Sequence, residues 1–178
     1  MFHKRRAILL VALGAGVGLV RLAAQGTDEK PIVSTAASAK FGAVPNAPEC
    51  FTVAVERGDP SKGPSVILAK FTPACVAPYH WHTPSETAMV VSGSLEIQMQ
   101  GDKSLVTHHG DFAYLPAHHV HRATCLSAAP CIVFLSSDAA FDIHWVDANG
   151  QEIPLEAALK NAKPKKTPSQ AGRATDRK

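Results

Sequence analysis

The sequence predicts one all-β domain, a sandwich or a barrel, with a single short helix near its C-terminal end. Three observations carry this. Between residues 50 and 146 the apolar residues fall in short runs that are β-branched or alternate with polar ones, the two-residue period of strands. Gly, Pro, Asp or Ser breaks the runs at short intervals, as in sandwiches and small barrels. With both termini set aside, about 130 residues remain, enough for one domain with a core and too few for two.

Residues 1–26 read as a targeting segment and not as part of the fold. His3, Lys4, Arg5 and Arg6 make a positive start, residues 7–20 an uncharged apolar run, and Leu22-Ala23-Ala24 or Ala24-Gln25-Gly26 a small-residue cleavage site. The run is 14 residues long, whereas a bilayer span needs about 20, so a cleaved signal is expected over a membrane anchor, with no stable span after cleavage. Arg5-Arg6-Ala7-Ile8-Leu9 is similar to a twin-arginine signal, although Lys4 stands where Ser or Thr is usual. The expected location is the periplasm or the medium outside the cell.

Residues 27–49 form an N-terminal extension. Strands are then expected at 51–56, 66–71, 79–82, 87–91, 95–100, 104–108, 112–115, 120–125, 132–135 and 141–146, with 58–64 as the longest loop. After a turn at 147–150, residues 155–162 have helical spacing and are expected to pack across the outside of the sheets. Residues 163–178 are basic, lack apolar periodicity and read as a disordered, solvated tail.

Charge is divided unevenly. Residues 27–159 hold 14 Asp/Glu and 7 Lys/Arg, a net of 7 − 14 = −7, while the formal charge of the whole chain is +3. An acidic body excludes a nucleic-acid surface.

The chemistry gathers in residues 78–86. In a strand, residues two apart share a face, so His80 and His82 aim at one point while Trp81 faces away. Pro84 ends the strand, and a turn over 83–85 lets Glu86 re-enter beside the histidines. In a second stretch, 110–121, a turn, a short strand and a proline turn lead to His121 at the start of another strand. Histidine and carboxylate donors on neighbouring strands suit an octahedral ion with open positions.

The pattern His80-x-His82-x3-Glu86-x6-Gly93, then Gly110-x5-Pro116-x4-His121, resembles the two motifs of the cupin superfamily, single-domain type. The chain departs from it at Ala74 and His118, where glycine is usual, and at Cys125, where asparagine is usual. The resemblance covers residues 50–146 and implies a double-stranded β-helix, or jelly roll, with one divalent transition metal per chain near the barrel mouth. His80, His82, Glu86 and His121 would hold the ion, which would be Fe, Mn, Ni, Cu or Zn. Cupins of this kind include dioxygenases, isomerases and decarboxylases, and also proteins that only bind small molecules. The expectation is an exported metal-dependent enzyme of dioxygenase or isomerase type acting on a small oxygen-bearing molecule. The alternative is a non-catalytic binding or sensor domain, and a homodimer is left open.

Parity describes the rest of the site. If Glu86 points inward so do Ala88 and Val90, and with His121 go Ala123 and Cys125. Leu95, Ile97 and Met99 face in against Glu96, Gln98 and Gln100 facing out, which gives a mostly apolar cavity. His118 and His119 read as solvated turn residues, His108 and His109 as exposed, and His144 as a structural histidine. Tyr79, Trp81 and Tyr114 read as packing residues. Cys50, Cys75, Cys125 and Cys131 allow three pairings in an exported chain. Cys125 and Cys131 flank a five-residue loop and are placed to bridge a hairpin, with Cys50 and Cys75 pairing by default; Cys125 also reads as a buried small hydrophobe. No Cys-x2-Cys spacing exists, which argues against a cysteine-rich zinc site.

Overall fold

The computed structural model describes residues 30–162, so the expected signal (1–26) and basic tail (163–178) lie outside the described residues. The chain divides into residues 1–33, of which 30–33 are described, exposed and without regular secondary structure, and residues 34–178. In the second unit a single 3-10 turn, Ala36–Ser38, and the short strand β1 (Gly42–Ala43) come first. There follow β2 (Phe51–Gly58), β3 (Ser65–Phe71), β4 (Val76–Trp81), β5 (Glu86–Ser92) and β6 (Ser94–Met99). Then come β7 (Leu105–His108), β8 (Phe112–Leu115), β9 (His121–Cys125), β10 (Cys131–Ser137) and β11 (His144–Trp145), and finally helix α1 (Leu155–Asn161).

The strands make two antiparallel sheets, one in the order β1-β2-β3-β10-β5-β8 and one in the order β11-β4-β9-β6-β7. Alternation of side chains decides which face closes on the core. Along β3 and β10 every second residue is buried, and on β5 the buried set is Glu86, Ala88 and Val90, as parity predicts. Phe51 and Phe71 meet edge to face at 4.9 Å, and the core continues through Ile67, Leu95, Val133 and Trp145. Helix α1 lies against β4 and buries Ala158.

Both expected cysteine pairs are joined, Cys50–Cys75 and Cys125–Cys131. The geometry corrects the hairpin expectation. Cys125 ends β9 in one sheet and Cys131 begins β10 in the other, so the bridge staples the two sheets at a corner. Cys50 and Cys75, just before β2 and β4, do the same nearby, and the Cys125 N–H donates to the Cys75 carbonyl at 2.9 Å.

Three further expectations are corrected. His82 lies just beyond the end of β4, which stops at Trp81 because the 83–85 turn begins there. The expected strand 141–146 shrinks to His144–Trp145, because the residues before it are tied through Asp142 to the 83–85 turn. Glu96, expected in solvent, is 5 % exposed and opposes Thr124 and Val106 in its sheet. Glycine is required at Gly93, where φ is +85° and an added Cβ would stand 3.0 Å from Cys131 Sγ.

Candidate metal centre

Each predicted ligand reaches the same place by a different route. His80 is on β4 and His121 opens β9, directly opposite it in the β4–β9 ladder, with ring centroids 4.3 Å apart. His82 follows β4, and Glu86 opens β5 in the other sheet after the proline turn. The two turns that carry the ligands are tied together, since the His118 N–H donates to the His82 carbonyl at 2.9 Å.

One atom from each of His80, His82 and His121 lies within 4.8 Å of the others, and all three residues are buried. Glu86 Oε2 stands 3.7 Å from His82 Nε2 and 3.9 Å from His121 Nε2. The other nitrogen of each ring faces a main-chain carbonyl: His80 Nδ1 that of Pro78 at 2.6 Å, His82 Nδ1 that of Asp142 at 2.5 Å, and His121 Nδ1 that of His119 at 2.8 Å. A carbonyl can only accept, so Nδ1 carries the hydrogen and Nε2 is left as a bare lone pair.

Burial keeps these rings neutral. It holds His80 well below the usual histidine range and lowers His82 to about 3 and His121 to about 4, with the neighbouring His121 adding to the effect on His80 and His82. Burial pushes the Glu86 carboxyl up to about 8. Three converging imidazole lone pairs out of water repel one another unless a cation or a proton lies between them, and a bound dication would also favour the Glu86 carboxylate. The donor set therefore fits a metal ion, and its N/O composition suits the later first-row ions.

The cavity beneath has about 60 Å³ of water-sized space. Apart from the four residues above, its walls are apolar, among them Phe51, Ala88, Leu135, Phe141, Ile143 and Trp145. The Trp145 indole N–H is occupied by the Asn46 carbonyl at 2.8 Å.

Several expectations about neighbours hold. Trp81 faces away from the site and stacks on His144 at 3.8 Å, while His108 and His109 are exposed. His144 is a structural residue, with Asp142 Oδ2 at 3.2 Å and Glu152 Oε2 at 3.3 Å, and the two carboxylates outweigh partial burial to raise its pKa. Sequence reasoning missed Phe141, whose ring lies 4.2 Å from that of His82, and Asp142, whose carbonyl holds the His82 tautomer. Neither has a periodic signal, since both lie in irregular chain far from the motif.

The departures from the resembled pattern can now be located. Ala74 and His118, which stand where glycine is usual, both adopt positive φ, 61° and 59°. The backbone keeps the glycine conformation although the glycine is gone.

Residues 67–137 match the cupin domain family model. The polyketide cyclase RemF from Streptomyces resistomycificus shares the fold at a TM-score of 0.58 and 14% identity, over 66% of this chain and 87% of that one. An RmlC-like cupin from Shewanella frigidimarina aligns at a TM-score of 0.49 with 17% identity, over 60% and 88% of the two chains. KdgF from a Halomonas species does so at 0.49 with 20% identity, over 58% and 92%. The likeness of this chain to solved folds rests on the first of these and concerns architecture alone. No curated protein matches the sequence.

Proposed function

We propose that the chain is an exported, metal-dependent enzyme that acts on a small oxygen-bearing molecule. One observation carries the reading: three unprotonated imidazole nitrogens converge beside a buried carboxyl in the wall of an otherwise apolar cavity. His80, His82, Glu86 and His121 would hold one divalent ion, which would supply Lewis acidity and, if redox-active, electron transfer. Four protein donors on an ion that prefers six leave positions for a ligand, unlike a closed structural zinc site.

The chain's own residues set what enters. The polar groups of the cavity are the four ligand side chains, so a substrate presents its oxygen to them and its apolar part to walls that include Ala88, Leu135 and Ile143. The cavity is small, about 60 Å³, which favours a compact molecule. Phe141 and Trp145 shield the histidines from bulk water. Export is supported by the charged and apolar start of the sequence and by two disulfides, which persist in oxidising compartments.

The test is to load the protein separately with Fe(II), Mn(II), Ni(II) and Cu(II), offer small enols, diketones, phenols and keto sugars, and follow oxygen uptake and products. Turnover with at least one pair supports the enzyme reading. Thermal stabilisation without product for every metal moves the assignment to a binding or sensor domain.

A further inference from the structure

The strand pair that carries His80 and His121 has a second cleft on its other side. Opposite Arg122 of β9, strand β4 sets two residues, Pro78 and Tyr79, because the register shifts between Ala77 and His80. Pro78 has no N–H to pair, and such a bulge is where a ladder tolerates proline. Side chains alternate along a strand, so with His80 and His121 turned to the metal centre, Tyr79 and Arg122 line the outer cleft instead. The Val146 N–H donates to the Tyr79 carbonyl and the Gln100 side-chain amide to the Ala148 carbonyl, both at 2.9 Å, which holds the turn after β11 beside the sheet. Between that turn, the sheet and the end of α1 lies about 350 Å³ of water-sized space, against about 60 Å³ in the metal cavity.

Two opposite charges share this cleft without pairing. The Arg122 guanidinium lies 5.6 Å over the Tyr79 ring, its Nε is buried with no acceptor, and among the described residues no carboxylate pairs with it. Asp147 spends Oδ1 on its own turn, accepting the Asn149 N–H at 2.8 Å and the Gln151 N–H at 3.0 Å, and among the described residues Oδ2 has no partner. A partly buried guanidinium without a counter-charge is costly. The turn holds the Asp147 carboxylate away from it.

We propose that this cleft binds a small amino acid, with its carboxylate on Arg122 and its ammonium on Asp147. A guanidinium stacked on an aromatic ring keeps its N–H edge for a ligand, and that edge matches a carboxylate in two parallel hydrogen bonds. The free Asp147 oxygen accepts from an ammonium. A simple anion would be repelled by Asp147 and a simple cation by Arg122, so a molecule carrying both signs is the one that satisfies both. The Tyr79 hydroxyl and the amides of Asn149 and Asn161 add neutral donors, while Pro78 and Ala158 give a short side chain an apolar wall. The sheet separates this site from the metal centre, and its reading does not depend on the metal.

The experiment is isothermal titration calorimetry on the purified protein, treated with a chelator so that no ion can hold a carboxylate. The probes are L-alanine, β-alanine and 4-aminobutyrate, which differ in the spacing of their charges, with propionate and propylamine as single-charge controls, each taken to about 20 mM. At least one amino acid is expected to bind about 10-fold or more tightly than either control, the worth of one charged hydrogen bond. Arg122→Gln and Asp147→Asn, the latter keeping the acceptor that the turn uses, should each weaken it by about 10-fold or more with unchanged circular dichroism. Arg122→Lys keeps the charge without the fork, should fall in between, and serves if Arg122→Gln fails to fold. Phe141→Ala, in the wall of the metal cavity, should leave binding as it is. The proposal is overturned if no amino acid binds, or if binding ignores both Arg122→Gln and Asp147→Asn. Propionate binding as tightly as the best amino acid also overturns it and makes the cleft a simple anion site. A loss in Phe141→Ala as large as in Arg122→Gln overturns it by placing the ligand in the metal cavity.

Discussion

The main-chain carbonyl of Asp142 accepts the Nδ1–H of His82 at 2.5 Å, across 60 residues of sequence. The Asp142 carboxylate makes that contact dependable, because it accepts the Thr83 N–H at 2.7 Å and the Thr83 hydroxyl at 2.5 Å and sits 3.2 Å from His144 Nε2. One residue thus clamps the loop that bears Phe141 to the turn that bears His82. Asp142→Ala removes the clamp and leaves the carbonyl. Metal affinity is expected to fall about 10- to 100-fold, the usual range for the outer partners of ligating histidines, with Asp142→Asn in between. Competition titration against a chelator measures it, and unchanged affinity in both variants would show the clamp to be dispensable.

Ala74 at φ 61° is strained by its Cβ. Ala74→Gly should stabilise the protein by roughly 0.5–1 kcal/mol, the relief being partly offset by the freer unfolded chain. His118→Gly should gain less, because the His118 ring lies 4.8 Å from Trp81 and that contact is lost. Urea midpoints at constant slope decide both. A destabilised Ala74→Gly would mean that the methyl group packs better than its conformation suggests.

In the metal-free protein the site makes stability depend on pH in two directions. His80, His82 and His121 have folded pKa values below the usual 6.5, down to about 3 and 4 for the latter two, so the unfolded chain takes up protons that the fold refuses and stability is lost as pH falls below about 6.5. Glu86, raised from 4.5 to about 8, acts oppositely, so stability falls as pH rises through that range. Between pH 4.5 and 6.5 the net is about two protons, roughly 2–3 kcal/mol per pH unit from these groups. Denaturation in chelator should therefore show a maximum near pH 6.5. Adding metal should abolish the decline toward pH 8, because a dication favours the Glu86 carboxylate. An alkaline decline that persists with metal would place the ion away from Glu86.

The two bridges close loops of different length, with separations of 25 residues for Cys50–Cys75 and 6 for Cys125–Cys131. Chain entropy alone makes the first worth about 3.5 kcal/mol and the second about 2.4. Replacing Cys50 and Cys75 by Ala should thus cost more than replacing Cys125 and Cys131, as read by denaturant midpoints. The reverse order would mean that the second bridge does more than shorten the loop at the sheet corner.

What could be read in advance was what depends on short spacing. Alternation placed Ala88, Val90, Ala123 and Cys125 inside with Glu86 and His121, because the two-residue period of a strand is local and strict. The convergence of His80 with His121 was also legible, though only through the paired motifs. Hidden from the sequence were contacts made across the fold by irregular chain. Phe141 over His82, the Asp142 clamp and the Asn46 carbonyl that occupies Trp145 belong to no period. The Cys125–Cys131 bridge misled for the same reason: five intervening residues suggest a hairpin, whereas the chain uses them to change sheets.

The central claim is tested most directly by metal content. Protein purified without a metal-chelating tag should carry about one divalent transition-metal ion per chain by mass spectrometry, as the four-donor set requires. His121→Ala, with native circular dichroism and both disulfides intact, should bind that metal at least about 100-fold more weakly, since it removes a direct ligand and leaves Glu86 beside one fewer donor. A folded His121→Ala that holds as much metal, as tightly, as the parent protein would contradict the account.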